Sequence, residues 1–353
     1  MKTKSKTIVV GMSGGVDSSV TAAILKDQSY NVIGVFMYNW DDKAMGTEKI
    51  NGCTAESDQQ DVRKVCGQLN IPFYTFNFTK EYRRKVFNYF ISEYKKNRTP
   101  NPDMLCNKEI KFEVFAEKAK QLGADLIATG HYAILKKGQL YRGKDESKDQ
   151  SYFLAATEKK KFSNVLFPLG ELKKEQVRKL AKKYKLVVAD KKDSQGICFV
   201  GNIEVAKFLR MFMKPKKGKV ITEEGEVIGE HDGAHFYTIG QRHGLGIASD
   251  LPYFITRTDV KKNIVYVGKG SHHKALFRKT LVLSKLNYFV SQKKIPKNVQ
   301  IQIRYRHKAV PAKITKKGKK YYIEFKNLQR AVTPGQFGVI YKKNQVLAAG
   351  IIN

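Results

Sequence analysis

Apolar positions along the chain follow one rhythm up to about residue 215 and another beyond it. In the first 200 or so residues, short continuous apolar runs alternate with stretches of helical spacing. Residues 7–10 form a β-branched run that ends in a glycine-rich turn. Residues 18–26 place Val20, Ala23 and Ile24 on one helical face. Residues 31–38 (NVIGVFMY) read as a second strand and 72–78 as a third. Residues 82–96 are an amphipathic helix with Val86, Phe87, Phe90 and Tyr94 as its stripe. A helix over 112–122 is closed by Gly123, and a short strand follows over 125–129. Helices are also predicted over 175–184 and 203–213. Strands alternating with helices imply a mostly parallel sheet covered on both faces, with ligands at the carboxyl ends of its strands. From residue 220 onward, short strands are separated by turn pairs such as Glu224-Gly225, Asp232-Gly233, Lys317-Gly318 and Pro334-Gly335. That spacing predicts small β-barrels or sandwiches.

A length of 353 residues allows two to three such units. The pattern divides them at 1–214, 215–279 and 280–353. No stretch approaches the ~18 apolar residues of a membrane span, and the apolar run after the charged start is too short for a signal peptide. Four cysteines, Cys53, Cys66, Cys106 and Cys198, are widely spaced and form no Cys-x-x-Cys pair. A cytoplasmic protein with reduced thiols is the economical expectation. The histidines show no convincing metal spacing, so no zinc or iron–sulfur site is expected.

The formal charge of +34 makes a polyanion the first partner to test. Only 13 of the 66 basic residues are arginine, and a lysine-rich composition also arises without such a partner. Residues 285–326 concentrate the charge, with 13 basic residues against Glu324 alone. Tyr288, Phe289, Tyr305, Tyr321 and Tyr322 interleave with them, which suits phosphates and stacked bases. Strand alternation offers the other reading, a solvated barrel face with its aromatics inside.

The sharpest local feature is Gly11-Met12-Ser13-Gly14-Gly15-Val16-Asp17-Ser18, between a predicted strand and a predicted helix. Glycines let the backbone approach a phosphate, and the helix start offers free N–H groups and a positive dipole end. A Walker loop would need Gly-Lys-Ser/Thr, which the chain lacks. Asp17 stands in the loop instead, and a carboxylate beside phosphates implies Mg²⁺ carried with the nucleotide. The motif resembles the PP-loop of N-type ATP pyrophosphatases. That resemblance implies ATP cleaved between its α- and β-phosphates and an acceptor oxygen adenylated. It also places Met37 near the adenine, although a core methionine explains that residue equally well.

Two cysteines sit in polar settings. Cys106 lies in Thr99-Pro-Asn-Pro-Asp-Met-Leu-Cys-Asn-Lys-Glu-Ile-Lys-Phe112, where two prolines stiffen the chain and Lys108 and Lys111 favour a thiolate. Cys198 lies in Asp193-Ser-Gln-Gly-Ile-Cys-Phe199. Cys53 and Cys66 read as small buried hydrophobes. These two segments resemble the bacterial tRNA-specific 2-thiouridylases. So do the GMSGGVDS loop, ATGHYA, Lys148-Asp-Gln-Ser-Tyr-Phe-Leu154, Tyr237-Thr-Ile-Gly-Gln-Arg-His-Gly-Leu-Gly246 and Ala331-Val-Thr-Pro-Gly-Gln336, in register across nearly the whole chain.

The resemblance implies a doubly wound PP-loop sheet of the adenine nucleotide α-hydrolase type, then two small β-rich domains, the last a tRNA-binding β-barrel. It implies 2-thiolation of the wobble uridine of tRNA, by adenylation of the uracil 2-oxygen and transfer of sulfur from a cysteine persulfide. ATP would contact residues 11–18, Met37 and Gly130. Cys198 would carry the persulfide and Cys106 would be its partner nucleophile. Either sulfide is freed and a Cys106–Cys198 disulfide remains, or the terminal persulfide sulfur attacks the base directly. Asn101, Pro102 and Asp103 would meet the target base. Asp103 is open to two readings, general acid–base and turn cap. His131, Lys148, Asp149, Gln150, Arg304, Tyr305 and Gln336 would contact tRNA. A persulfide-donating sulfurtransferase or cysteine desulfurase is implied as partner, with neither DNA nor a membrane. An amide-forming PP-loop ligase, thiolation at another tRNA uridine and a non-catalytic RNA-binding protein are the alternatives.

Overall fold

The computed structural model describes residues 5–42, 55–193 and 204–353. Its first unit is a parallel sheet of five strands: β1 (Thr7–Met12), β2 (Asn31–Tyr38), β3 (Phe73–Asn77), β4 (Leu126–Thr129) and β7 (Val165–Leu166), in the order β3-β2-β1-β4-β7. β1 is the centre, pairing Ile8 with Val32 on one side and with Leu126 on the other. Five of its six residues are buried, as a parallel strand covered on both faces requires. Because β2 and β4 flank β1 in opposite directions, the chain reverses at its carboxyl end. That switch point is where such sheets open a crevice for ligands.

Helix α1 (Val16–Asp27) follows β1 directly, and α2 (Ala55–Gln68) packs against β2. The predicted stripe of the next helix, α3, is buried along residues 79–95, with a π turn at Arg83–Phe87. Helix α4 differs from expectation. It begins at Pro102 rather than near residue 112, and runs through a π-helical stretch, Cys106–Val114, to Lys120. The proline pair is therefore a helix start. Pro102 occupies the first helical position, where a missing N–H costs nothing, and Asn101 Oδ1 accepts the Met104 N–H at 3.1 Å. The cap is Asn101, not Asp103.

The later helices are α5 (Ser151–Leu154), α6 (Lys174–Lys183) and α7 (Val205–Arg210). Phe208 of α7 and Phe212 close on Trp40 and Phe87, with ring centroids 4.5–6.5 Å apart. Four strands, β8 (Gly218–Thr222), β9 (Val227–His231), β10 (Tyr253–Asp259) and β11 (Ile264–Lys269), then form a separate sheet. The last unit is an antiparallel barrel of β12 (Phe277–Tyr288), β13 (Asn298–Gln302), β14 (Val310–Lys317), β15 (Lys320–Arg330), β16 (Phe337–Lys342) and β17 (Gln345–Ile352). Pairing of β12 with β17 closes it. The α/β-then-β-barrel fold class is thus borne out.

One element was not foreseen. Strands β5 (Ala133–Lys136) and β6 (Gln139–Arg142) leave the first unit as a hairpin and join the barrel sheet through Tyr141 and Gln345. Lys137 and Gly138 both take positive φ, as a two-residue hairpin turn demands, but Lys-Gly is a weak turn signal in sequence. The core also crosses this junction, since Tyr152 and Tyr341 belong to one buried cluster.

Candidate functional site

The glycine-rich loop runs from the end of β1 into the first turn of α1. The Ser13 N–H donates to Ser18 Oγ at 3.1 Å, and the Ser18 and Ser19 hydroxyls donate to the Gly15 carbonyl at 3.2 and 2.9 Å. No side chain caps the helix at Gly15, so its first amides are left without a capping acceptor. Gly14 has φ +76°, and a Cβ there would stand 2.6 Å from the Asp58 carbonyl oxygen. Gly130, at the end of β4, lies flush on the loop: its Cβ would stand 2.8 Å from Asp17 C and Ser18 N. Met37 is buried, its methyl 3.1 Å from where a side chain on Gly11 would begin. Met12 and Val16 are core residues, and Met12 Sδ lies 3.7 Å from Cys66 Sγ. Burial pushes the Cys66 thiol up to about 12, so Cys66 is the inert hydrophobe the sequence suggested.

A charge cluster adjoins the loop. Asp17 accepts the Tyr132 hydroxyl at 2.8 Å and the Lys174 ammonium at 2.7 and 2.9 Å. Lys174 also reaches Asp193 at 2.7 Å, where Lys148 (2.7 Å) and Arg178 (2.9 Å) converge. Burial alone would raise the Asp193 carboxyl. Hydrogen bonds and attraction from Lys148 and Lys174 outweigh it and hold the group at about 2. The Tyr132 phenol is pushed far up, first by burial and then by the Asp17 charge. Sequence reasoning named Asp17 and Lys148 but missed Lys174, Arg178 and Tyr132. A phosphate loop without a lysine was the available signal to look for one elsewhere.

Helix α4 connects this crevice to the second half of the site. The Phe115 ring of α4 stands 3.3 Å from a Cβ on Gly11, while Cys106 lies near the helix's other end, 0% exposed. Asn107 Nδ2 donates to the Phe153 carbonyl at 3.4 Å. The strap of residues 97–101 that leads into Pro102 and Asp103 is held by all three units. Asn97 Nδ2 donates to the Thr258 carbonyl at 2.6 Å, and the Thr99 and Thr238 hydroxyls meet at 3.1 Å. Arg98 pairs with Glu93 at 2.9 Å and donates to the Ile352 carbonyl at 3.2 Å. Gln336 Nε2 donates to the carbonyls of Thr99 and Pro100 at 2.9 and 3.3 Å. Gln336, which the resemblance assigned to tRNA contact, is thus bonded to the strap that leads into Asn101–Asp103.

The remaining residues that the resemblance assigns to tRNA divide. Lys148 is partly exposed. Asp149, 7% exposed, is fully engaged inside the protein, with Arg142 at 2.9 Å and the Gly143 and Ser151 amides at 3.0 Å. Gln150 pairs with the Tyr132 backbone in both directions, at 2.9 and 3.0 Å. His131, 7% exposed, faces the core between Phe112 and Phe167, with Thr129 Oγ1 2.7 Å from its Nδ1; burial and Lys111 hold its pKa well down. Tyr305 stacks toward Phe153 at 4.2 Å beside exposed Arg304. Of the basic tail's aromatics, Phe289 and Tyr321 are core residues and Tyr322 is exposed, so alternation accounts for part of that pattern.

Cys53 and Cys198 lie outside the described residues. The segment carrying Cys198 is bounded by Asp193 of the charge cluster on one side and by α7, seated on Trp40, on the other. Among the described residues, no three His, Cys, Asp or Glu side chains gather to hold a metal ion.

Three family models match consecutive parts of the chain: a tRNA methyl transferase HUP domain (residues 6–202), a tRNA methyl transferase PRC-barrel domain (206–269) and an aminomethyltransferase beta-barrel domain (278–352). The tRNA-specific 2-thiouridylase MnmA of Listeria monocytogenes is 47% identical, over 98% of this chain and 94% of its own. Proteins of the same name from Enterococcus faecalis and Streptococcus mutans are 46% and 45% identical, each over 100% of this chain and 97% of its own.

Proposed function

The chain belongs to the tRNA-specific 2-thiouridylases, and from that membership we propose how its residues divide the reaction. It is an ATP-dependent sulfurtransferase that places sulfur at position 2 of a tRNA uridine. The finer reading assigns that uridine to the wobble position, 34, and the work to three units, 1–214 for ATP and catalysis, 215–279 as support, and 280–353 for tRNA.

The uracil 2-oxygen is a poor leaving group. Its attack on the α-phosphorus of ATP expels pyrophosphate and leaves the oxygen bound to AMP. Residues 11–18 and Gly130 hold the phosphates, with the amides at the start of α1 facing the developing charge. Met37 borders the adenine. Asp17 would hold Mg²⁺ carried with the nucleotide, which would neutralise phosphate charge. Sulfur then adds at carbon 2 and AMP departs. In one route the terminal sulfur of a Cys198 persulfide attacks carbon 2. The Cys106 thiolate next attacks Cys198 Sγ, breaking the sulfur–sulfur bond, releasing the thiocarbonyl and forming a Cys106–Cys198 disulfide. In the other, Cys106 attacks Cys198 Sγ first, and the sulfide it frees attacks carbon 2. Both end in the same disulfide, which a thiol reductant must reopen, so a reducing cytoplasm suits the cycle. The persulfide is recharged by a sulfurtransferase or cysteine desulfurase.

Asp103 and the Asn101–Pro102 backbone border the flipped base, with Asp103 moving its proton. Gln336 fixes their strap, and Lys148, Arg304 and Tyr305 face the tRNA. His131, Asp149 and Gln150 act from behind, as supports of that surface. The observation that carries this reading is α4: it packs Phe115 on Gly11 of the phosphate loop and bears Cys106 and Asp103 near its start.

Cys198→Ser and Cys106→Ser proteins are expected to keep tRNA-dependent pyrophosphate release and to lose thiolation. A Cys198→Ser protein that still thiolates tRNA removes the persulfide assignment. Mass spectrometry of tRNA from a depleted strain locates the missing sulfur, and a loss anywhere but position 34 moves the target.

A further inference from the structure

Loops of the Walker type rely on a lysine to face the β- and γ-phosphates, and residues 11–18 contain none. Lys174, the first residue of α6, stands in that gap. Its helix packs on α1, and its backbone N–H is fixed by Asp145 Oδ2 at 2.8 Å. Its side chain is only 14% exposed, with the ammonium 2.7 and 2.9 Å from the two carboxylate oxygens of Asp17. Asp17 belongs to the loop itself, so the ammonium already lies at the edge of the phosphate crevice. Its other contact, Asp193, is held independently by Lys148 and Arg178.

We propose that Lys174 is the phosphate-binding lysine of this site: when ATP binds, its ammonium leaves Asp193 and faces the β- and γ-phosphates, the part that departs as pyrophosphate. The assignment rests on the ATP-dependent reading above. The local charges permit the exchange. Asp193 is not orphaned when Lys174 turns away, because two cations remain on it. Asp17 keeps the Tyr132 hydroxyl at 2.8 Å. A lysine is suited to the task, being a point charge on a flexible stem whose donors rotate. A strut that only braced Asp193 would not need to contact the loop carboxylate through both oxygens.

The test is titration calorimetry of the full-length protein with ATP, pyrophosphate and AMP, for wild type, K174M, K174R and D193N. K174M is expected to lose about 10- to 100-fold in affinity for ATP and pyrophosphate, with AMP affinity held within about twofold, since AMP offers only its α-phosphate to the loop amides. K174R restores part of the loss. D193N, which removes the lysine's other partner, binds ATP at least as tightly as wild type. The assignment is overturned if K174M binds ATP as wild type does. It is equally overturned if K174M loses AMP and ATP alike, or if D193N reproduces K174M, for then Lys174 only braces the loop. A wild-type protein that binds none of the three ligands removes the ATP-dependent reading and the lysine assignment with it.

Discussion

The glycine-rich loop and the strap before Asp103 are both short backbone segments, yet they are held in opposite ways. The loop's own hydrogen bonds join residues three to five apart, from Ser13 to Ser18 and from Gly15 to Ser18 and Ser19. The strap is held by Thr238, Thr258, Gln336 and Ile352, residues 139 to 254 positions away. Around the loop the neighbours are charged: Lys174, Asp193, Lys148 and Arg178. Most of the strap's partners are neutral hydroxyls, amides and carbonyls. The loop's local frame is thus built by one stretch of chain and flanked by charge. The strap is assembled only where distant parts of the chain meet, which ties its position to the completeness of the whole molecule.

The largest expected effect breaks the loop without touching the strap. A Gly130→Ala Cβ would stand 2.8 Å from backbone atoms of Asp17 and Ser18, which cannot swing aside as a side chain would. Overpacking of this kind costs about 1–3 kcal/mol of stability, and the loop shift that relieves it should lower ATP affinity about tenfold or more. tRNA binding should remain near wild type. Titration with ATP and with tRNA separates the two, and an equal loss of both would show that loop and strap are not independent.

That division also explains what was legible in the sequence. The loop was readable because strand, glycines, Asp17 and helix start are consecutive, so local chemistry states the whole device. Strand β2 and the apolar stripe of α3 were readable for the same reason. The start of α4 was misplaced because two prolines read as a stiff strap, although Pro102 with Asn101 before it is a helix start by position. Hairpin β5–β6 was missed because its turn is Lys-Gly and its stabilising partner, β17, is about 200 residues away. Lys174 was missed because nothing local distinguishes it among the lysines of α6. The clamp of Gln336 on Thr99 and Pro100 joins two motifs that the sequence could name but not bring together by spacing.

A smaller effect is expected from the opposite intervention. Gln336→Ala removes two hydrogen bonds to the strap carbonyls, each worth about 0.5–1.5 kcal/mol. The strap should loosen, so that thiolation kcat/KM falls about tenfold while ATP affinity stays at the wild-type value. Gln336→Glu, which keeps the size and one oxygen but loses the donor, should behave like alanine. If Gln336→Ala instead weakens tRNA binding and leaves kcat unchanged, the residue touches tRNA rather than positioning the strap.

The smallest effect tests whether charge distinguishes the two regions. The Asp193 carboxyl is held at about 2, below its ordinary 3.8, by Lys148 and Lys174 acting against burial. A carboxylate depressed by folding stabilises the native state above its unfolded value, and that stabilisation fades as pH falls from 3.8 toward 2. With a third of the side chain exposed, screening keeps the contribution small. Wild type and D193N should therefore differ modestly near neutral pH and converge across this acid window in unfolding curves, and added salt should narrow the gap at neutral pH. Gln336→Ala loses neutral hydrogen bonds, so its difference from wild type should be flat over the same window. If the D193N difference is also flat, the ion cluster beside the loop contributes no pH-dependent stability, and the contrast between a charged site and a neutral one fails on the side of the loop.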